Sequence, residues 1–366
     1  MLISLPKDQL SFCLDTVEKA LPTHSSVQPI ENILLECHGQ WLTFTATNLE
    51  QDICVKIPNI HDSSGRILLP PKIVDIVRYL PAADVNIEIS FDNYRIDIKS
   101  GQSNYVLYGA DPTDFPLTRS EDDPESILSL EQADFKKILK KVVFAASTDE
   151  SRPAFNGVLL YFKDSQISLT ASDTYRLVVQ DLINENWAFE EQRWLIPAKA
   201  LRELLKIMGE EGEITISPKS KRVVFKFNQV YFATRVLEEK YPDVRGVIPT
   251  AFKTRILTER KLFEESVARA GLLAEGINQA IHFSIHDHRF EVKVSSQIGK
   301  MEESLQCTQE GEDVEVFVNA KFVMDILKVL EQKEILIDFH SKNGPLVFKI
   351  PGDDSYIYLV LPIKME

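Results

Sequence analysis

Cysteine is scarce in this chain, four in 366 residues, and no two stand in a Cys-x-x-Cys spacing. Cys13, Cys37, Cys54 and Cys307 all fall inside apolar-patterned segments. We therefore expect buried thiols of a cytoplasmic protein rather than a disulfide scaffold or a zinc site. Long hydrophobic runs are missing as well: none approaches the roughly 20 residues that a membrane helix needs. Met1–Lys7 has no basic stretch leading into a long apolar core, so no secretory signal and no membrane partner are expected. Neither a P-loop nor G-x-G-x-x-G occurs, which removes the common phosphate cradles of nucleotide-using enzymes. Positive charge is in deficit: 41 Lys and Arg against 55 Asp and Glu leave −14. Taken alone, that balance argues against a sticky nucleic-acid binder.

What is present is ordinary globular composition, 44% hydrophobic and 26% charged, in a length that suits two or three domains. The informative feature is repetition. An amphipathic helix pattern comes first in each copy, at Leu10–Val17, Phe135–Val142 and Leu262–Val267, with apolar residues three or four apart. Paired runs of period-two alternation follow, the signature of half-buried strands. They are Asn32–Cys37 with Leu42–Ala46, Val158–Phe162 with Ile167–Ala171, and Ile281–Ile285 with Phe290–Val294. Turns are expected between them at His38-Gly39, Lys163-Asp164-Ser165 and Asp287-His288.

A strand running into a helix recurs as Leu68-Leu-Pro-Pro-Lys72, Leu195-Ile-Pro-Ala-Lys199 and Phe317-Val-Asn-Ala-Lys321. Pro or Asn just ahead of the helix suits a helix start. A last strand group closes at Phe115-Pro116, Tyr241-Pro242 and Leu361-Pro362. Each copy thus reads as two helices on antiparallel sheets with about eight short strands, an α+β layering. The domains are expected at 1–122, 123–250 and 251–366, with joints near 117–128 (Asp122, Asp123, Pro124) and 247–257. Open edge strands invite aggregation, and symmetric closure by a second chain would cover them.

Lysines recur on the repeated helices. Lys136, Lys137, Lys140 and Lys141 lie opposite Phe135, Ile138, Leu139 and Val142; Lys199, Arg202 and Lys206 follow on the next helix. Lys72 with Arg78, and Lys321 with Lys328, occupy the matching helices of the outer copies. Exposed helix faces carry lysine anyway, but recurrence in an acidic chain points to two faces of opposite sign. The basic one suits phosphates without reading bases.

With these stretches in view, the chain resembles the bacterial DNA polymerase III beta-subunit (sliding clamp) family over its whole length. The most specific matches are Phe155-Asn-Gly-Val, Ala171-Ser-Asp-Thr-Tyr-Arg-Leu-Val, Tyr241-Pro-Asp-Val-Arg-Gly-Val-Ile-Pro, Asn319-Ala-Lys-Phe-Val-Met-Asp and Val360-Leu-Pro-Ile-Lys. The resemblance implies a head-to-tail homodimer, a six-domain ring lined by twelve helices. At a spacing of roughly 9 Å these span a hole of about 35 Å between opposite helix axes, wide enough for duplex DNA and water. A ring holds by topology, so weak, salt-screened contacts suffice despite the net acidity.

The implied partners are double-stranded DNA without sequence preference, a second copy of the chain, the replicative polymerase catalytic subunit, the clamp loader and other proteins carrying clamp-binding peptides. The implied place is the cytoplasm, at the nucleoid. No cofactor and no metal are implied. Family clamps take a short peptide with a Gln and a hydrophobic pair. The matching pocket positions are Phe155, Ser172, Thr174, Tyr175, Arg176, Leu177, Pro242, Val247, Asn319, Phe322, Leu346, Leu359, Leu361 and Pro362. Among them Leu177, Val247, Leu359 and Leu361 offer an apolar anchor, and Arg176 and Asn319 polar handles; the competing reading is that many are plain core. DNA-facing positions are His24, Lys72, Lys136, Lys137, Lys140, Lys199, Arg202, Lys206 and Lys321. Dimer contacts map to Ile76, Leu80, Tyr105 and Leu107 at one end and Leu272, Leu273, Glu302 and Glu303 at the other.

The chain departs from the family pattern at three places. Thr174-Tyr175 replaces a frequent Gly-His, which should reshape the pocket. The C-terminus reads Leu361-Pro-Ile-Lys364 followed by Met365-Glu366, and the first-domain loop reads His24-Ser25-Ser26 where an Arg is common. Enzyme-like constellations are weak. His282, His286 and His288 with Asp287 have zinc-compatible spacing, yet His282 and His286 fall on one outer strand face and His288 in its turn. Asp173 with Arg176 could pass for an acid–base pair, but it falls at a strand end with no nucleophile in view. Two readings stand: a non-catalytic clamp, or an enzyme or small-molecule binder built on the same triplicated unit.

Overall fold

In the computed structural model the described residues are 1–81, 83–116, 126–276 and 278–364, the Asp62 side chain excepted. Most of the joint expected at 117–128, including Asp122, Asp123 and Pro124, and the terminal Met365 and Glu366 lie outside them. The first copy contains β1 (Leu2–Pro6), α1 (Lys7–Val17), β2 (Ile33–Thr47), β3 (Gln51–Leu69), α2 (Lys72–Tyr79), β4 (Asp84–Ser90), β5 (Arg95–Ser100) and β6 (Ser103–Tyr108). The second contains β7 (Leu128–Glu131), α3 (Gln132–Val143), β8 (Gly157–Asp164), β9 (Gln166–Ser172), β10 (Arg176–Ile183), β11 (Phe189–Pro197), α4 (Ala198–Ile207), β12 (Glu213–Lys219), β13 (Arg222–Phe227) and β14 (Val230–Arg235). The third contains β15 (Thr254–Glu259), α5 (Arg260–Gly271), β16 (Ala280–His286), β17 (Arg289–Ser295), β18 (Lys300–Gly311), β19 (Val314–Asn319), α6 (Ala320–Val329), β20 (Glu334–Phe339), β21 (Leu346–Ile350) and β22 (Asp353–Val360).

The threefold order of helix, strands, helix and strands is therefore present, with two α-helices in each copy among the described residues. The periodicities explain why. In α1 the buried Leu10, Cys13, Leu14 and Val17 make one stripe, and β4 alternates exposed and buried along its whole length. The expected turn at Asp287-His288 is a tight one, both residues having positive φ, 47° and 61°, the geometry of a two-residue hairpin. At His38-Gly39 the chain stays within β2. There the ladder to β3 shifts register between Gly39 and Trp41, and Gly39 takes the left-handed φ of 59°.

Two compact units result: residues 1–136 with 202–236, and residues 137–201 with 237–366. The first holds a four-stranded sheet, β1-β4-β5-β6, and a six-stranded one, β2-β3-β14-β13-β12-β7. The second holds a twelve-stranded sheet that runs from β11 through β10 and β22 to β19. Compactness thus divides the central copy, because ladders cross between copies: Val230 pairs with Val55, and Leu177 with Leu359. Edge strands that would be liabilities within one copy become shared rows of hydrogen bonds.

Cys13, Cys37 and Cys54 are buried and Cys307 is half-buried, all four as free thiols. Burial pushes the Cys13 thiol up to about 12, which leaves it protonated and inert near neutral pH.

Candidate functional site: an apolar cluster on β10 and β22

Strand alternation sorts the expected pocket residues onto two faces. The β10–β22 ladder sets Leu177 opposite Leu359 and Val179 opposite Ile357, and β21 adds Val347 opposite Leu359. With a period of two, these side chains share one face. Leu177, Val179, Val347 and Leu359 form a buried cluster against which Val244, Ile248 and Ile357 pack. Exposed Val247, Tyr175 and Leu361, with 59%, 59% and 42% of their surface open, contribute apolar area reachable from solvent. Pro242 is exposed on the same loop as Val247. Five members, Val179, Val347, Val244, Ile248 and Ile357, were not among the expected positions. Their signal was present in part: Val179 and Ile357 stand two residues from Leu177 and Leu359, the repeat of one strand face.

Arg176 and Leu346 belong to the other face, and here the expectation needs correction. Leu346 has no exposed surface and pairs with Val360 and Phe339, on the face away from Leu177 and Leu359. Arg176, 7% exposed, is an internal rivet. Its Nε donates to Asp173 at 2.8 Å, Nη1 to Asp325 at 2.6 Å and Nη2 to the Phe144 carbonyl at 3.0 Å. Its guanidinium also lies 4.5 Å from the Phe322 ring, a cation–π distance. With these bonds made and so little surface, it offers little to a ligand as a polar handle. The Asp173–Arg176 pair is accordingly structural. Asn319 likewise serves the fold first: its side chain accepts from the Lys321 and Phe322 amides and caps α6.

The polar rim follows from a strained turn. Thr174 has φ 78°, costly for a β-branched residue. Its amide donates to Ser172 Oγ at 3.1 Å, and its Oγ1 accepts from Arg152 Nη1 at 2.7 Å. Asp173 Oδ1 accepts from both the Tyr175 and the Arg176 amides at 3.0 Å. The C-terminal segment is tied in by Leu361 N to Tyr175 O at 2.9 Å and Ile363 N to Phe317 O at 2.7 Å. Half-buried Phe155 meets Tyr241 edge-on at 5.8 Å.

The helix lysines differ among themselves. Lys137, Lys140, Lys199 and Lys321 are exposed, as is His24. Lys72 and Lys206 are exposed but paired at 2.8 Å with Asp75 and Glu203. Arg202 is half-buried. Lys136 corrects the expectation of an outward row: its Nζ turns to the Met208 carbonyl at 2.9 Å and to Glu210 at 2.7 Å. Arg78 is neutralised by Asp15 at 2.6 Å and Glu18 at 2.5 Å.

At the expected dimer ends, among the described residues, β6 pairs only with β5, and residues 300–306 of β18 pair only with β17. Tyr105 is exposed and Ile76 and Leu107 are half-buried, whereas Leu80 is buried, which withdraws it from any surface contact. Leu272 is 79% exposed, Leu273 half-buried and Glu302 open. Glu303 is held by Arg269 at 2.5 Å, a bond that keeps its carboxyl below the usual range.

The histidines have separate neighbours. His282 stacks on Phe317 at 4.5 Å, His286 lies 3.1 Å from Glu291, and His288 accepts from the Gln309 amide at 3.3 Å. Burial lowers the His282 pKa, with Glu315 working in the opposite direction. The face expected to be outermost is partly covered, since Ser284 is buried. Among the described residues no three His, Cys, Asp or Glu side chains are grouped to hold a metal ion, and no helix is long and apolar enough to cross a membrane.

Comparison with known proteins agrees along the whole chain. Models of the N-terminal, central and C-terminal domains of the DNA polymerase III beta subunit match residues 1–119, 129–243 and 245–364. A curated relative, the beta sliding clamp of Staphylococcus aureus, is 31% identical over 377 aligned positions, covering 100% of this chain and 99% of its own. The sliding clamp of Bacillus subtilis superposes with a TM-score of 0.93 at 29% identity, and the Streptococcus pyogenes beta subunit at 0.92 with 24%; each covers both chains completely. The three copies, their fold and these matches together place the chain in the DNA polymerase III beta-subunit family, the beta sliding clamps.

Proposed function

We propose that this chain is a DNA sliding clamp that works as a head-to-tail homodimer closed around duplex DNA. The observation that carries the reading is that three successive beta-subunit domains fill the chain from residue 1 to residue 364. The clamp domains are 1–122, 123–250 and 251–366, so two chains supply a ring of six. The β6 edge of one protomer meets the 300–306 edge of β18 in its partner, with Tyr105, Leu107, Leu272 and Leu273 supplying apolar contact. The exposed lysines, Lys137, Lys140, Lys199 and Lys321 first, face the phosphates through water and give weak, sequence-independent contacts.

The ring tethers the replicative polymerase and other proteins by short peptides. The Leu177–Leu359 pocket takes their hydrophobic residues, a docking mode in which a few buried anchors carry most of the affinity. The clamp has no chemistry of its own, and a separate loading machine supplies the ATPase that opens it. It works in the cytoplasm, at the nucleoid.

The test is topological. Loaded onto nicked circular DNA, the protein is retained through gel filtration, and cutting the circle once releases it. Equal retention on circular and linear DNA would sink the ring.

A further inference from the structure

The 241–248 loop lies over the Leu177–Leu359 cluster, and it is only partly packed. Val244 and Ile248 rest on the apolar cluster. The stretch from Tyr241 to Arg245, however, borders a half-open cleft of about 200 Å³ against the sheet residues Leu159, Tyr161 and Thr170. A second cleft of about 370 Å³ shares Tyr161 and Arg245 with it. Arg245 reaches to the sheet here: its Nη2 donates to Ser168 Oγ at 2.6 Å and to Asp181 Oδ1 at 2.5 Å. The two acceptors are directly paired across β9 and β10, so their positions are fixed by the ladder. The loop is also braced internally. The Arg245 amide donates to Asp243 Oδ1 at 3.1 Å, and the Ile248 amide to the Arg245 carbonyl at 3.1 Å. The short turn that ends at Val247 is thus braced within itself, and Arg245 ties it to the sheet.

We infer that Arg245, through Asp181 and Ser168, is a latch that positions the Val247 wall of the pocket for partner peptides, an inference that rests on the peptide-pocket reading above. Arg245 is a positioning residue: it acts on the bound peptide through Val247 and Pro242. With half-open clefts beside the loop, loss of the latch lets the wall sample positions unable to close on a ligand. Apparent affinity then falls in proportion to the fraction of chains with the wall in place. A charge-assisted bond of this kind corresponds to about a tenfold change in that fraction.

The experiment is a fluorescence-anisotropy titration of the full-length protein with a labelled Gln-Leu-Ala-Leu-Phe pentapeptide, with a melting curve for each variant. Arg245→Ala and Asp181→Ala are each expected to weaken binding about tenfold at unchanged melting temperature. The double variant is expected to be no weaker than either single, and Arg245→Lys, which keeps one charged bond, to fall between. Wild-type affinity in the single variants, losses that multiply in the double, or losses that track a lowered melting temperature would overturn the latch and leave the pocket standing. Failure of the unmodified protein to bind the pentapeptide would overturn the pocket and the latch with it.

Discussion

Removing the Arg176 side chain leaves Asp173, Asp325 and the Phe144 carbonyl without their shared donor. Stripping one partner from a buried ion pair is among the more destabilising single changes, and since Asp325 retains 26% exposure the cost is set at about 2 kcal/mol. Arg176→Ala should therefore lower the urea midpoint of unfolding; an unchanged midpoint would contradict the rivet. The family resemblance suggested a peptide-binding guanidinium at Arg176, beside the apolar anchor Leu177. Neighbours along a strand point to opposite faces, so adjacency to a pocket residue was an argument for the other side of the sheet. The same logic applies to Leu346 beside Val347. Thr174 was legible as a departure from a glycine-containing pattern, but not that it keeps the left-handed backbone, which depends on the Ser172 and Arg152 contacts.

Helices were the most legible elements, since a 3.6-residue stripe survives in any local window. Their caps carry testable energy. Asn319 holds two amides of α6, so Asn319→Ala is expected to cost about 1 kcal/mol in urea unfolding, and Asn319→Gly only a few tenths. Equal costs for both would assign the effect to something other than the cap. Strands were legible as alternation, while their pairing between copies was not. Nothing in the Val230–Arg235 run names the Gln51–Val55 run as its neighbour, because ladder partners are joined by backbone groups common to all residues. Lys136 shows the same limit on a helix: spacing puts it in a row with Lys140, while Glu210 and the Met208 carbonyl, over 70 residues away, decide where its charge goes.

For the whole molecule, the acid excess and the lysine-bearing helices are reconciled if a closed ring, rather than a strong binding constant, keeps the protein on DNA. Closure then depends on apolar and edge-strand contacts at the chain's ends. Leu272 is 79% exposed, an open apolar side chain that a second copy would cover. Leu272→Asp is expected to convert the dimer to monomer at micromolar concentration, read by sedimentation, while the folded monomer keeps its melting temperature within a few degrees. A dimer that survives the substitution would remove Leu272 from the interface.

By itself, the sequence determined the threefold copy number, the α+β layering, the positions of the helices and the apolar residues that would gather on them. Each of these follows from local periodicity and from order along the chain. The tertiary structure decided which strands of different copies share a sheet, which face of β10 carries the apolar cluster, and which charges are already neutralised by distant carboxylates. It also set Arg245, given no role of its own in the sequence reading, against Ser168 and Asp181. These are matters of contact between residues far apart in the chain, which no local pattern records.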